Sequence, residues 1–465
     1  MAGNGTFTAF NKDRVGVYTR FYAKKATDFI SRDTTGIVAI GLTMDYGADG
    51  EIIELTGEEL ESGACLSKIG YTLADEEILP YRLALTGAYK ALLYKLNTNG
   101  VKANATVGDI KITAKYTGIL GNQIKVVITA NTPTTGKYQV EVYFKDARRE
   151  TFYVSNATEL IAKASNYVVF SSEEATPTIT ATTGTTLTGG TNGTVGTDSY
   201  DNFFTALKYK MFDYVAINSA DTSVSDKVVE FVNKQITNKG KYVCGVVYNK
   251  PLLNNKYIIS VDQGLECKDF TITTALMPIF IASLRAGCPL GACLDNNNMT
   301  ELVGAKSIIN PVDDDGDDAF VAALKAGRFL FAYWNDGTVV VEEDINTYTE
   351  YDENDPVNYP ADYRRNRLIA TMNYIGNESQ IRINKNIIDG RHSDDDAGNT
   401  RYLVKSIVDD VCSPLATNNV ISSYDPQTDI VVGSKGSSDG LFHTTNLKYI
   451  DSLRQVYQTY NIVLL

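Results

Sequence analysis

Histidine, the side chain most often used for acid–base catalysis near neutral pH, occurs only twice in this chain. His392 lies in RHSDDDAG and His443 in LFHTTN, and both contexts indicate loops. No GxSxG nucleophile elbow, GxxxxGK[ST] phosphate loop or GxGxxG dinucleotide turn accompanies them. We therefore expect structural or solvated roles for both histidines, no enzymatic activity and no cofactor.

The segment PVDDDGDDA, from Pro311, brings five aspartates together as a cation-binding loop would. In a twelve-residue calcium loop with Gly316 at position six, Pro311 would take position one and Ala322 position twelve, where oxygen ligands are required. Neither side chain carries an oxygen. The favoured interpretation is an acidic loop that caps a helix beginning near Asp317, where carboxylates interact well with the helix dipole. We predict no metal site.

A cluster of three arginines, Arg364, Arg365 and Arg367, is the other chemically notable motif. Guanidinium groups bind anionic partners through paired hydrogen bonds, so this cluster is a candidate contact with a partner protein. A solvated helix end explains the same pattern equally well, and both interpretations stay open. The charge run SDDD at Ser393 indicates a solvated surface.

Length and composition limit the classes of function. A chain of 465 residues has room for several domains, and its 43% apolar and 21% charged residues are ordinary for a globular protein. The net charge of −13 argues against nucleic-acid binding and makes identical subunits repel at long range. Self-assembly would therefore require short-range complementary surfaces or screening salt.

Neither a secretory signal nor a membrane span is predicted. The N-terminus, MAGNGTFTAFNKDR, lacks an apolar stretch, and the most apolar run, from Thr273, is interrupted by Pro278 and Arg285. We interpret that run as a buried helix. Six cysteines without zinc-type spacing are expected to be reduced and buried, which indicates synthesis in a cytoplasm: Cys65, Cys244, Cys267, Cys288, Cys293 and Cys412.

Two stretches, 23–98 and 199–349, predict one α/β core. GIVAIGLTM, from Gly36, is typical of a strand buried on both faces, and LTGEELESG predicts a short helix capped by Thr56 and Glu59. RLALTGAYKALLYKL, from Arg82, has helical spacing. After Ser199, helices such as SVSDKVVEFVNKQITN alternate with strands such as KYVCGVVYN, which indicates a largely parallel sheet covered by helices.

Residues 99–198 predict an inserted β-sandwich domain. DIKITAKY, NQIKVVITA, KYQVEVYF and RETFYVS have strand character, and NATELIAKASN predicts one helix. The stretch ends in TPTITATTGTTLTGGTNGTVGT, which is too polar for a core and predicts an exposed loop or β-ribbon. The favoured role for the insert is a decorative surface domain.

A β-hairpin closes the core. RFLFAYW and TVVVEED flank Asn335-Asp336-Gly337, and an Asx-Gly pair between strands is a strong hairpin signal because glycine tolerates the positive φ of a tight primed turn. Residues 350–450 then predict an α+β domain with two long helices, RRNRLIATMNYIGNESQIRINKNII and NTRYLVKSIVDDVCSPLA.

Both chain ends predict exposed strands. VGVYTRFY, from Val15, alternates without helical spacing, and LRQVYQTYNIVLL ends the chain with no charge after Arg454. Such strands are a liability in a monomer, because unpaired strand edges recruit other chains. They become an assembly device if strand addition to a neighbour is intended.

Three blocks in order resemble contractile tail sheath proteins of phages and phage-tail-like bacteriocins. They are GTFTAFNKDRVGVYTRF, GIVAIGLTMDYGADGEIIELT and KAGRFLFAYWNDGTVVVEEDINTYTEY, the last followed by RRNRLIATMNYI. One departure is Val15, where relatives often carry proline. With residues 199–465, the resemblance covers some three quarters of the chain.

The resemblance implies a subtilisin-like α/β core without a catalytic triad, and terminal arms, 1–22 and 451–465, that add strands to neighbouring subunits. The residues expected in this strand exchange are Val15, Val17, Tyr18, Tyr460, Ile462 and Leu464. It further implies a helical homopolymer around an inner tail tube, with baseplate and tail terminator proteins as partners, without nucleic acid or membrane insertion. The three arginines are candidates for the tube contact.

Two alternatives remain. An α/β enzyme with a site at the strand ends would need a nucleophile–base pair or a phosphate loop, and neither motif is seen. Another virion or surface-layer structural protein is the second alternative, with the threonine-rich insert as an adhesive module. Synthesis in the bacterial cytoplasm, followed by incorporation into a phage tail or phage-tail-like particle, is the expected location.

Overall fold

A computed structural model describes residues 36–130, 137–312, 317–350, 361–388, 392, 398–434 and 440–451. The predicted strand arms, apart from Asp451, and all six residues expected in strand exchange lie outside these ranges. So do the aspartates at 313–315 and the whole SDDD run at 393–396. Within the described residues, no helix is long and apolar enough to cross a membrane.

The core begins with three strands and three short helices: β1 (Ile37–Leu42), β2 (Ile52–Thr56), α1 (Gly57–Ser62), α2 (Leu66–Ile69), α3 (Leu79–Ala84) and β3 (Lys90–Lys95). The predicted cap of α1 is confirmed, because the Thr56 hydroxyl accepts from the Glu59 amide while the Glu59 carboxylate accepts from the Thr56 amide. The second part of the predicted helix from Arg82 is wrong, since the chain leaves α3 and forms β3. Its apolar run, ALLY, is buried on both faces, as a central strand requires.

The insert follows, with elements β4 (Asn104–Val107), β5 (Ile110–Ala114), β6 (Ile124–Ala130), β7 (Tyr138–Phe144), β8 (Ala147–Val154), α4 (Ala157–Ile161), β9 (Val168–Ser171) and β10 (Thr182–Thr186). Two antiparallel sheets form it, in the orders β10-β6-β7-β8 and β4-β5-β9. Part of the threonine-rich segment is an edge strand rather than a free ribbon, because Thr182 pairs with Ile128 and Thr186 with Lys125. Leu187 anchors it in the core.

The core resumes with α5 (Ser199–Leu207), β11 (Tyr214–Ile217), α6 (Thr222–Lys239), β12 (Cys244–Tyr248), β13 (Ile258–Val261), β14 (Gly264–Cys267), β15 (Thr271–Ile272), α7 (Met277–Gly287), α8 (Met299–Val303), β16 (Ala305–Ile309), α9 (Asp317–Lys325), β17 (Phe331–Tyr333) and β18 (Val339–Val341). Strands β15, β14 and β16 form a small antiparallel sheet. Helix α9 begins where the sequence predicts, at Asp317.

The central sheet has the order β13-β12-β11-β1-β3-β2 and is parallel except for β2. All six residues of β1 are buried because helices cover both faces. Val38 and Ile40 pack with the buried helix α7, whereas Ile37 and Ala39 pack with Phe203 of α5 and with α6. The predicted helix–sheet–helix core and the buried apolar helix are confirmed.

The hairpin that ends the core has shorter strands than predicted and a different turn. Phe331 pairs with Val341 and Tyr333 with Val339. The Gly337 amide donates to the Trp334 carbonyl, the Trp334 amide donates to the Thr338 carbonyl, and only Gly337 of the three loop residues has a positive φ, of 82°. This is a three-residue loop that ends in a left-handed glycine, not a primed two-residue turn.

The last part is α+β, as predicted, with α10 (Asn366–Asn386), α11 (Asn399–Thr417), β19 (Ile421–Ser422), α12 (Pro426–Asp429), β20 (Ile430–Ser434), β21 (Leu441–Thr445) and β22 (Lys448–Tyr449). Helices α10 and α11 pack on each other, and β19 pairs with β22 while β20 pairs with β21. Ile387, Val404 and Ile407 form the small core beneath the β20–β21 hairpin.

Candidate assembly surfaces and the networks behind them

Both histidines lie at the surface of the protein. His443 lies on β21 rather than in a loop, exposed, with its Nδ1 3.4 Å from the Thr445 hydroxyl, and His392 is exposed in a loop. Among the described residues, no group of three or more His, Cys, Asp or Glu side chains is placed to hold a metal ion. Burial raises the pKa of the Cys244 thiol to about 12, so this cysteine is a packing residue rather than a nucleophile.

All six cysteines are free thiols. Four are buried, as expected from the sequence, whereas Cys288 and Cys293 are half-buried. Burial also raises the pKa of Cys267 and Cys412 to about 11, which keeps both protonated and unreactive near neutral pH.

The three arginines lie against their own subunit. Arg364 donates to the Leu324 carbonyl at the end of α9, and the guanidinium groups of Arg364 and Arg365 lie 3.9 and 3.8 Å from the Glu343 carboxylate. Arg367 is only 8% exposed and stands 5.5 Å from the ring centroid of Tyr449. The cluster is therefore not a solvated helix end. It joins α10 to the core and to β22, and its contact with an inner tube stays a prediction.

A buried ion pair lies at the centre of this junction. Arg285, on α7, donates to Asp344 across 2.6 Å, and both side chains are 1% exposed. Asp344 also accepts from the Leu294 amide at 3.0 Å and from the Asn366 side chain at 2.8 Å. One carboxylate thus links the core helix, the segment after the hairpin and the start of α10. Burial opposes the charge of Arg285, but Asp344, Tyr214 and Cys288 together outweigh it, and the pKa of the guanidinium is raised.

Sequence reasoning missed this network. In the sequence, Arg285 stands out only as an interruption of an apolar helix, and that interruption is the available signal, because a charge on a buried helix requires a partner. The identity of the partner could not be found from spacing, since Asp344 lies 59 residues away.

A second buried network fastens the insert to the core. Lys95, at the end of β3, has no exposed surface and donates to the Thr117 hydroxyl at 2.6 Å and carbonyl at 3.0 Å. Its ammonium lies 3.2 Å from Asp49, which also accepts from the Thr117 hydroxyl at 2.8 Å. Burial lowers the pKa of Lys95, and Asp49 opposes that shift. The lysine and aspartate of the core and the threonine of the insert therefore satisfy one another's hydrogen bonds and charges.

Apolar packing continues across the same boundary. The ring of Tyr46, from the core, lies 5.4 Å from that of Tyr116 and 5.6 Å from that of Phe144, both in the insert. The buried side chains of the core and the sandwich form one hydrophobic cluster. The insert is thus built onto the core through shared packing, and its role as a decorative surface domain stays a prediction.

A glycine substitution tests how rigid that attachment is. Gly118 has φ +128°, and a Cβ there would lie 2.0 Å from the Asp45 carbonyl oxygen. We expect Gly118→Ala to lower the free energy of unfolding by about 3 kcal/mol or more, because backbone must move apart. The control is Gly50→Ala, at φ +75° with nothing within 4 Å, which should cost only about 1–2 kcal/mol of left-handed strain. Equal urea midpoints for the two variants would show that the contact is not rigid.

The β20–β21 hairpin is a sheet with open edges. It has two strands, and among the described residues no further strand pairs with either of them. Val431 and Phe442 on it are 52% and 54% exposed. Two-stranded sheets are marginal in water, so this hairpin is suited to receive additional strands.

The fold and these surfaces are those of a structural protein. An α/β core carries accessory domains packed against it, and the β20–β21 sheet has edges that can pair with further strands. Three domain models of one family match the chain in order. They are the phage tail sheath protein β-sandwich domain over residues 98–192, the central domain over 193–347 and the C-terminal domain over 359–463. The chain belongs to the phage tail sheath protein family.

Two solved structures and a further relative are similar to nearly the whole length of this chain. The crystal structure of a sheath tail protein from Desulfitobacterium hafniense is 28% identical, with a TM-score of 0.73, covering 94% of this chain and 97% of that one. The sheath tail protein from Listeria innocua is 27% identical, with a TM-score of 0.78, covering 90% and 92%. The phage-like element PBSX protein XkdK of Bacillus subtilis is 25% identical, covering 97% of this chain and 98% of its own.

A more distant likeness concerns the fold alone. The helical sheath of the anti-feeding prophage in its contracted state is 9% identical, with a TM-score of 0.53, covering 98% of this chain and 99% of that one. The resemblance seen in the sequence is confirmed. The family implies a component of a virion or phage-tail-like particle.

Proposed function

We propose that this protein is the subunit of a contractile tail sheath, which polymerises as a helical cylinder around an inner tube and contracts to drive that tube through a target cell envelope. The observation that carries the proposal is the ordered match of three sheath domains to one chain. A fold shared with a contracted helical sheath supports it. Its role is structural rather than enzymatic.

The chain ends act as connectors between subunits in this proposal. Residues 1–22 and 451–465 leave their own subunit and add strands to neighbours, through Val15, Val17 and Tyr18 at one end and Tyr460, Ile462 and Leu464 at the other. An arm of twenty extended residues reaches about 65 Å. The open edges of β20 and β21 support such acceptance, because each added strand would form about five ladder bonds worth about 1 kcal/mol net apiece.

Contraction is a change of packing between rigid subunits that stay joined. Energy is stored as the difference between an extended, metastable arrangement and a tighter contracted one, so no nucleotide is needed. The networks around Lys95 and Arg285 support rigid-body motion, because they fasten the insert and the start of α10 to the core. In this proposal the core has a subtilisin-like topology without a triad. The inner tube protein, the baseplate and the tail terminator are the other partners, and Arg364, Arg365 and Arg367 are the candidate tube contact.

Negative-stain microscopy of the purified full-length protein tests the proposal. We expect hollow cylinders or stacked discs, with the sedimenting fraction increasing as salt screens the charge of −13 on each subunit. A protein that stays monomeric from low to high salt, with and without a purified tube, would contradict it.

A further inference from the structure

Helices α5 and α6 carry opposite charges at their two ends. Both connect to parallel strands, so their C-terminal ends meet at the edge of the sheet where β11 and β12 begin. Four lysines and one tyrosine collect there, and we call them the basic end: Lys208, Tyr209, Lys210, Lys239 and Lys241. The opposite, acidic end of the same helices carries exposed carboxylates: Asp198, Asp201, Asp221 and Asp226.

The basic end is one continuous surface built around an aromatic ring. The ammonium groups of Lys208 and Lys239 lie 5.5 and 4.2 Å from the ring centroid of Tyr209, so the ring connects the ends of the two helices. Lys241 donates to the Lys210 carbonyl. Burial, and then the nearby charge of Lys239, lowers the pKa of Lys241 to about 8, which reflects the crowding of cations.

Local stability does not explain this surface. The helix dipole favours lysine near a C-terminus, but it gives no reason to leave a tyrosine ring 83% exposed among those lysines. An exposed aromatic ring flanked by cations is the composition of an interface anchor. Only Glu54, 3.8 Å from Lys210, offers a carboxylate to these four lysines within ion-pair distance in the described part of the chain.

The carboxylates of the acidic end are only partly neutralised by described residues of their own subunit. Asp201 and Asp226 have lysine partners at 3.5 and 2.7 Å. Asp198 and Asp221 form no ion pair with any described residue, although Asp221 also caps α6. Because α6 has 18 residues and spans about 27 Å, the two ends of one subunit cannot neutralise each other.

We propose that the basic end of one subunit docks onto the acidic end of a second copy of this chain, with Tyr209 covered in the contact. Such a head-to-tail contact joins two different surfaces, and when its rotation does not close into a ring it generates an open helical polymer. It supplies the short-range attraction that subunits of net charge −13 require. This contact presupposes the helical polymer proposed above and names one of its subunit interfaces.

Charge reversal tests the contact. Lys208→Glu/Lys239→Glu should raise the protein concentration needed for tubes at low salt by about tenfold or more, because it places like charges together. Asp198→Lys/Asp201→Lys should do the same. The four-residue combination should restore assembly with itself but not with wild-type subunits. The control, Lys102→Glu/Lys111→Glu, makes the same charge change on exposed lysines of the insert and should assemble as wild type.

The outcomes separate this contact from the polymer itself. If wild-type protein forms no tubes in the same assay, the sheath function fails and not merely this interface. If wild type assembles and the Lys208/Lys239 variant does so equally well, the contact is wrong. If that variant forms tubes alone but no longer coats a purified inner tube, the partner is the tube and the contact between copies is likewise wrong. Thermal unfolding at the wild-type midpoint would verify that each variant folds.

Discussion

Asp344→Ala should lower the free energy of unfolding by about 3–5 kcal/mol, one of the largest effects we expect from a single substitution. The change leaves the guanidinium of Arg285 buried without its carboxylate, and removing one partner of a buried pair costs far more than the pair itself contributes. It also removes the acceptor for the Leu294 amide and the Asn366 side chain. Urea unfolding followed by tryptophan fluorescence and circular dichroism would measure the loss.

Asp262→Ala is the matched control. It breaks the two bonds between Asp262 and Arg328, at 2.9 and 2.8 Å, but those side chains are about one-fifth exposed and water can replace the carboxylate. A loss of about 1 kcal/mol is expected there. Replacing both partners of the buried pair, as Arg285→Met/Asp344→Leu, should recover part of the loss. If Asp344→Ala costs no more than Asp262→Ala, the buried pair does not hold the junction.

Deletion of residues 1–20, or of 456–465, should give a folded subunit that does not polymerise. In the proposed function these segments pair with neighbouring subunits rather than with their own, so the thermal midpoint of the isolated subunit should stay close to that of the full chain. Each exchanged strand is expected to contribute several ladder hydrogen bonds of about 1 kcal/mol each. Because every subunit loses its connecting strand, this loss of binding energy is repeated at each link of the polymer. Sedimentation and negative-stain microscopy would measure assembly.

Proline substitutions refine the same test. Val17→Pro removes an amide that strand pairing can use, so assembly should weaken, whereas Val15→Pro should be tolerated because the family resemblance implies proline at that position. If truncated subunits still form tubes of normal length, strand exchange is not what connects them. The sheath function would then rest on surfaces such as the basic and acidic ends of α5 and α6.

Local patterns predicted the elements well where the chain has one dominant periodicity. The run from Ile37 is continuously apolar and forms the fully buried β1, and the Thr56–Glu59 capping box forms as expected. Predictions failed where a short apolar run suits two structures. Lys90–Lys95 forms a strand because neighbours on both sides of the sheet bury it, which helical spacing from Arg82 could not reveal.

The sequence by itself determined the class of the protein: ordered blocks of family-like sequence, a helix–strand alternation, an inserted β region and apolar chain ends without catalytic motifs. These properties are local, so spacing and composition record them. Only the tertiary structure decided that Lys95 meets Thr117, that Arg285 meets Asp344 and that the three arginines face their own subunit. The residues that meet in each of these contacts are distant along the chain. The burial that makes the contacts energetically important exists only once the sheet and its helices have packed.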